Sequence, residues 1–218
     1  MMAALAPLES LLQRLPELTP CRPSILATYQ ALHDCLRRGG KLLLCGNGGS
    51  AADADHWAGE LLKGFKRLRP LSAEDQARFR PELAHRLQGA LPAIPLTGFP
   101  ALSSAFGNDV APELVFAQLT WALGKPGDVW IGLSTSGQAT NVCAAAEVAR
   151  ARGLITVGLT GESGGRLAPL CDHVIRAPAR ETYRVQEYHL PLYHCLSLML
   201  EDAFFGDENQ RADEKRKC

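Results

Sequence analysis

The sequence has no apolar run of the roughly 20 residues that a bilayer-spanning helix needs, so no membrane partner is expected. Residues 1–23 lack the basic start, long apolar run and cleavage site of a secretory signal. No Cys-x-x-Cys pair exists among the seven cysteines, which argues against a zinc ribbon or a dithiol redox centre. An odd cysteine count without regular spacing fits reduced thiols and a cytoplasmic location. Net charge is also missing: Lys plus Arg number 23 and so do Asp plus Glu. That removes the electrostatic basis for general nucleic-acid binding, and no nucleic-acid partner is expected. The Gly-x-x-x-x-Gly-Lys-Ser/Thr loop of nucleotide hydrolases does not occur. Gly46-Asn47-Gly48 starts like a dinucleotide fingerprint, but Ala51 stands at its third glycine, where alanine is tolerated. No acidic residue ends a clear second strand about twenty residues further on. A small phosphorylated ligand is therefore favoured over a nucleotide.

What is present fits one α/β domain. The chain has 218 residues, enough to bury a full core, and 46% of them are apolar. The most telling stretch is Leu42-Leu43-Leu44-Cys45-Gly46-Asn47-Gly48-Gly49-Ser50, followed by an Ala-rich run. It reads as a buried strand ending in a glycine turn that opens a helix, with Ser50 at the N-cap. Backbone N–H groups converge at such a turn and the helix dipole favours negative charge, so it suits a phosphate. A second strand, Val129-Trp130-Ile131-Gly132-Leu133, runs into Ser134-Thr135-Ser136-Gly137. Two such strand ends suggest one phosphate held between two loops. Cys45, at the first strand end, reads as packed core.

Helices are expected at 8–15, 24–38, 50–63, 112–123, 138–152, 166–170 and 182–205. Strands are expected at 41–45, 93–96, 128–133, 154–159 and 173–176. Apolar strands alternating with helices indicate an α/β fold with a doubly wound parallel sheet flanked by helices. Ligands of such sheets bind beyond the carboxyl ends of the strands, where both polar turns lie. Residues 64–91 break the rhythm. With Lys63 before them, they carry Lys66, Arg67, Arg69, Arg78, Arg80 and His85, with prolines at 70 and 81. They read as an inserted, partly helical surface excursion: a solvated connection, or a basic face for an acidic partner or anionic substrate. The expected organisation is a single domain over 1–206 and a charged tail, 207–218, without fixed structure.

His56 and Glu60 are four residues apart on the helix after the first turn, so they project from one face. Such a pair can share a metal or work as acid and base. The long last helix adds Gln186, Glu187, His189 and His194. Its remaining residues are mostly apolar, so it should be buried, and its polar groups need partners. A single buried histidine is usually a satisfied core residue; several polar groups across two helices point to a site. Pro191, between Gln186 and His194, is expected to kink that helix.

Taken together, Cys45-Gly46-Asn47-Gly48-Gly49-Ser50, His56 with Glu60, Asn108-Asp109, Ser134-Thr135-Ser136-Gly137, Thr160-Gly161, and Gln186-Glu187 with His194 resemble the sugar isomerase (SIS) domain family. Within it, the likeness is to the phosphoheptose isomerases, and it runs over about residues 22–205. The resemblance implies a flavodoxin-like three-layer sandwich and a homotetramer with active sites at subunit interfaces. It implies that Asn47, Gly48, Gly49, Ser50, Asn108, Asp109, Ser134, Thr135 and Ser136 bind the sugar phosphate, with Glu60 and Gln186 also on the substrate. It further implies zinc on His56, Glu60, Gln186 and His194, and an acid–base pair of Glu60 and His194.

The implied reaction is aldose–ketose isomerisation of a phosphorylated sugar, sedoheptulose 7-phosphate above all, through a cis-enediol with Glu60 as base and His194 as acid. Two alternatives stand beside it: a non-catalytic SIS module that binds a sugar phosphate or a protein as a regulator, and an isomerase of another phosphosugar. Two departures from the family pattern bear on the substrate. Ser134-Thr135-Ser136-Gly137 continues Gln138-Ala139 where the family has Asn-Ser, so a hydroxyl is missing at Ala139. The 64–91 excursion is also longer than in compact heptose isomerases.

Overall fold

A computed structural model describes residues 5–206; the tail expected at 207–218 lies outside them. The helices are α1 (Ala6–Arg14), α2 (Arg22–Arg37), α3 (Gly49–Leu62), α4 (Ala73–Gln76), α5 (Pro81–Ala84), α6 (Pro100–Asp109), α7 (Val115–Leu123), α8 (Thr140–Ala151) and α9 (Thr182–Phe205). The strands are β1 (Leu42–Gly46), β2 (Ala93–Pro95), β3 (Val129–Ser134), β4 (Ile155–Thr160) and β5 (His173–Arg176). All neighbouring pairs are parallel, in the order β2-β1-β3-β4-β5. This is the flavodoxin-like order of a doubly wound sheet.

Every residue of β1 and β3 is buried, which is why these strands read as unbroken apolar runs. Their side chains alternate between two cores. Leu42, Leu44, Val129, Ile131 and Leu133 face one, together with Leu8 and Leu11 of α1, Ile25 and Leu32 of α2, Trp57 and Leu61 of α3, and Leu192 and Met199 of α9. Leu43, Cys45 and Trp130 face the other, with Phe116 and Leu119 of α7 and Val142 and Ala146 of α8. Helices thus cover both faces in three layers. Cys45 is fully buried, and burial pushes its thiol well above the usual range, as expected of a core cysteine.

Two elements differ from expectation. Helix α6 arises where no element is foreseen, because Pro100 at its first turn pre-sets a helical start that the weakly patterned sequence does not advertise. Helix α9 has the expected bounds, Thr182 to Phe205, with Pro191 inside it. The 64–91 excursion does hold two short helices, α4 and α5, and its arms close in an antiparallel bridge between Pro70 and Gln88. However, its base is no solvated connection. Arg69 is completely buried, and so is its partner Glu201 on α9, with Nε to Oε1 at 2.8 Å.

Candidate active site

The carboxyl ends of β1 and β3 adjoin at the point where the strand order reverses, which is where doubly wound sheets place their ligands. The turn after β1 bends at Gly48, whose φ of +55° suits glycine. The Gly48 carbonyl accepts from Ala51 N (3.0 Å) and Ala52 N (3.1 Å), so Gly48, not Ser50, is the N-cap of α3. Ser50 lies inside the first turn and is buried. The turn after β3 is closed by Gly137 N donating to Ser134 O at 3.0 Å. There Ser134 is buried, Thr135 half-buried and Ser136 exposed. Ser136 Oγ accepts from Gln138 N at 3.2 Å, and Thr135 O accepts from Gly161 N at 2.9 Å.

Neither helix that starts here has a side-chain cap: Gly48 precedes α3, and Ala139 precedes α8. Their first N–H groups have no intrahelical partner and can take an anion. The two turns are tied by a reciprocal amide pair. Asn47 Nδ2 donates to Asn141 Oδ1 (2.8 Å), and Asn141 Nδ2 donates to Asn47 Oδ1 (2.9 Å). Asn141 was not foreseen as a site residue; an amide in the first turn of an otherwise Ala-rich helix was the available signal.

The second group of candidates lies along α3 and α9, which run side by side in the same direction. At their start the Gln186 amide packs so closely on Gly49 that a Cβ there would overlap it. Seven residues on, ~10 Å along the axis, His56 meets α9 again. His56 Nε2 is 3.1 Å from Glu60 Oε1, and Lys63 Nζ is 3.3 Å from Glu60 Oε2. The His194 ring stands edge-on to His56, with centroids 5.1 Å apart, and Phe65 packs on it at 5.2 Å. The structure therefore brings His56, Glu60 and His194 together. It leaves Gln186 of the same chain at the phosphate-type turn, about two helical turns away.

Among the described residues, His194 Nε2 is buried without a hydrogen-bond partner. Burial, then the neighbouring His56, pull the His194 pKa below the ordinary histidine value. The ring is thus neutral near neutral pH, a donor or acceptor rather than a cation. Beside it opens a cavity of about 310 Å³ whose walls include Ser10, Arg14, Lys66 and Asp202. Two further residues, unforeseen from sequence, join this cluster: the Tyr193 hydroxyl lies 2.8 Å from His56 Nδ1 and 3.3 Å from Asp53 Oδ1. Among the described residues, no three His, Cys, Asp or Glu side chains already converge as a metal cage.

The remaining candidates stand apart. Asn108 and Asp109 sit exposed at the end of α6, where Asn108 Nδ2 donates to Asp109 Oδ1 at 2.8 Å, and neither hydrogen-bonds to the two turns. His189 is a core residue: it is fully buried, its Nε2 is 3.4 Å from Thr160 O, and burial lowers its pKa to about 4.

The model of the SIS domain family matches residues 8–161. The chain belongs to the SIS domain family. Relatives that match this SIS chain over most of its length are phosphoheptose isomerases. That of Roseiflexus sp. is 42% identical over 185 residues, covering 85% of this chain and 84% of the relative. That of Maridesulfovibrio salexigens is 39% identical over 181 residues, covering 83% and 79%. Among solved structures, the phosphoheptose isomerase from Francisella tularensis matches with a TM-score of 0.71 at 31% identity, over 89% of this chain and 94% of that one.

Proposed function

We propose that this SIS-domain chain is a phosphosugar isomerase whose substrate is sedoheptulose 7-phosphate, converted to the aldoheptose 7-phosphate. The observation that carries the reading is the His56–Glu60 pair set against the unsatisfied nitrogen of His194, in a chain about two-fifths identical to phosphoheptose isomerases. Glu60 is the base that takes the proton from the carbon beside the carbonyl and returns it to the neighbouring carbon of a cis-enediol. His194, held neutral, is the acid: a neutral imidazole N–H donates to the substrate oxygen without first having to be charged. The phosphate is held by the uncapped starts of α3 and α8, with Asn47, Gly48, Gly49, Ser134, Thr135 and Ser136 around it. Binding energy at this remote group orients the reacting carbons. Asn108 and Asp109, exposed at the end of α6, are proposed as further substrate contacts.

Zinc is the proposed cofactor. A nitrogen–oxygen–nitrogen set from His56, Glu60 and His194 has the donor chemistry zinc accepts, and the orphaned His194 Nε2 is an atom such an ion would satisfy. Glu60 and His194 held on zinc are not free as base and acid, so the metal and proton-transfer roles belong to different states. The fit is one of donor type, since the three do not converge as they stand, and Gln186 of the same chain does not reach them. Bound there, zinc would polarise the substrate carbonyl as a Lewis acid. A homotetramer with sites at its interfaces is also proposed; the exposed Leu62, Leu68 and Tyr183 on α3, the excursion and α9 support it. Light scattering of the purified chain tests the assembly.

Incubation with sedoheptulose 7-phosphate and with hexose 6-phosphates, followed by NMR, tests the reaction. Conversion of the heptose alone is the expected result. Binding without conversion of any sugar would make the chain a regulatory SIS module instead. Phosphate recognition has its own test. Ser136→Ala is expected to weaken sugar-phosphate binding about tenfold with little change in turnover at saturation, since removing uniform binding raises KM alone. Ala139→Ser should tighten binding, because Ala139 is the N-cap of α8 and a hydroxyl there adds a donor for the anion. Equal affinity for phosphorylated and unphosphorylated sugar in the wild type would sink the assignment of both turns.

A further inference from the structure

Tyr193 is wholly buried beside His194, its ring stacked on Trp57 with centroids 5.7 Å apart and set edge-on to His56 and His194. A phenylalanine ring would make those same contacts. The hydroxyl is the part that packing does not explain, and it sits between two groups of α3: His56 Nδ1 at 2.8 Å and Asp53 Oδ1 at 3.3 Å. Asp53 and His56 are three residues apart, so one helix face presents both to the same oxygen. The other Asp53 oxygen, Oδ2, is buried without a partner among the described residues.

A phenol has one hydrogen to give and lone pairs with which to accept. Given to His56 Nδ1, that hydrogen obliges the neutral ring to carry its own proton on Nε2, which then donates to Glu60 Oε1 at 3.1 Å. Given instead to Asp53 Oδ1, it leaves the phenol oxygen to accept from Nδ1–H, and His56 Nε2 turns a bare lone pair towards the Glu60 side. With Asp53 ionised, only the second setting makes a hydrogen bond of both contacts; the first gives up the one to Asp53 Oδ1 and gains the one to Glu60.

We propose that Tyr193, backed by Asp53, is a positioning residue that selects the tautomer of His56. In one setting His56 donates through Nε2 to Glu60; in the other Nε2 is free to ligate a divalent cation. Tyr193 acts through His56 and touches no reacting atom. The proposal rests on the reading of His56 and Glu60 as active-site groups, and it adds the device that sets their hydrogen bonding.

The test uses the full chain labelled with 15N-histidine, stripped of metal and then titrated with zinc alone, as wild type and as Tyr193→Phe. In the stripped wild type, NMR should show His56 protonated on Nε2, with Nδ1 accepting a hydrogen bond. Zinc should move the proton to Nδ1, where the bond to Tyr193 slows its exchange with water. In Tyr193→Phe the Nδ1 resonance should shift to that of an unbonded acceptor, and the zinc form should lose its slowly exchanging proton. Zinc affinity should fall about 10- to 100-fold, the usual cost of losing the outer partner of a histidine ligand. Turnover should fall with KM unchanged. Asp53→Asn retains an acceptor oxygen and should keep more affinity than Tyr193→Phe, which guards against misreading a packing defect. An unaltered His56 Nδ1 resonance in Tyr193→Phe overturns the proposal. A wild type that binds no zinc overturns the metal reading alone, and the resonance of the stripped protein still decides the role of Tyr193.

Discussion

Glu60→Gln is expected to lower turnover by roughly two to four orders of magnitude, the usual contribution of a general base. The substitution is nearly isosteric. The amide oxygen can still accept from His56 Nε2, so the ring keeps its neighbour at the present 3.1 Å contact. What the amide cannot do is take a proton from carbon. Stability should scarcely change, because among the described residues the Glu60 side chain pairs only with His56 at i−4 and Lys63 at i+3. Pairs of that kind on one helix face are worth a few tenths of a kcal/mol each. Binding of the sugar phosphate should also persist, since the turns proposed to hold it lie at the starts of α3 and α8, away from Glu60. The measurement is exchange of the carbon-bound proton with deuterated solvent, alongside product formation. Exchange and turnover near wild-type levels would remove Glu60 from the chemistry.

The fold was readable because its signals are local and repeated. β1 and β3 are continuous apolar runs, each ending in a small-residue turn, and that is the mark of parallel strands buried on both faces. Gly39 and Gly153, with φ of +76° and +73°, end α2 and α8 as glycines following a helix should. The site was readable only in part. His56 and Glu60 share a helix face by spacing alone, so their contact could be foreseen. The positions of Gln186 and His194 depend on how α9 lies against α3. The parallel alignment of the two helices puts Gln186 on Gly49 and His194 on His56, and nothing in the spacing within α9 specifies that. Tyr193 and Asn141 escaped for a related reason. Tyrosine in a buried helix reads as core, and its hydroxyl acquires a role only when another element brings Asp53 and His56 to it. The reading of Ser50 as a cap failed by two residues, because Gly48 already supplies the non-helical backbone that ends the turn.

The buried base of the excursion is where the largest loss of stability is expected. Glu201 accepts four hydrogen bonds: from Phe65 N (2.9 Å) and Arg69 Nε (2.8 Å) on Oε1, and from Lys66 N (2.9 Å) and Arg67 N (3.1 Å) on Oε2. Arg69 in turn donates to the carbonyls of Leu61 (2.8 Å) and Glu60 (3.3 Å) in the last turn of α3, where a cation also meets the negative end of the helix dipole. Its guanidinium lies over the Phe205 ring at 4.7 Å. Arg69→Met leaves a buried carboxylate without its countercharge and two helix-end carbonyls without a donor. The expected cost is about 3–5 kcal/mol, the range for breaking a buried pair by removing one partner. Glu201→Met should cost a similar amount, since it strands the guanidinium and three backbone N–H groups. The double variant is not expected to recover fully, as apolar replacement of such a pair can in other settings, because those N–H groups stay unsatisfied. Acid denaturation gives a second readout. Burial alone would raise the Glu201 pKa, but the N–H groups of Phe65 and Lys66 and the Arg69 guanidinium outweigh it and hold it below 4.5. A carboxyl with a lowered folded-state pKa stabilises the fold above its unfolded value, and that stabilisation is lost as pH falls through the folded value. The wild type should therefore lose stability below about pH 4.5 more steeply than Glu201→Met. Urea unfolding at neutral and acid pH measures both effects. A loss under 1 kcal/mol for Arg69→Met would show that the pair does not hold the end of α3.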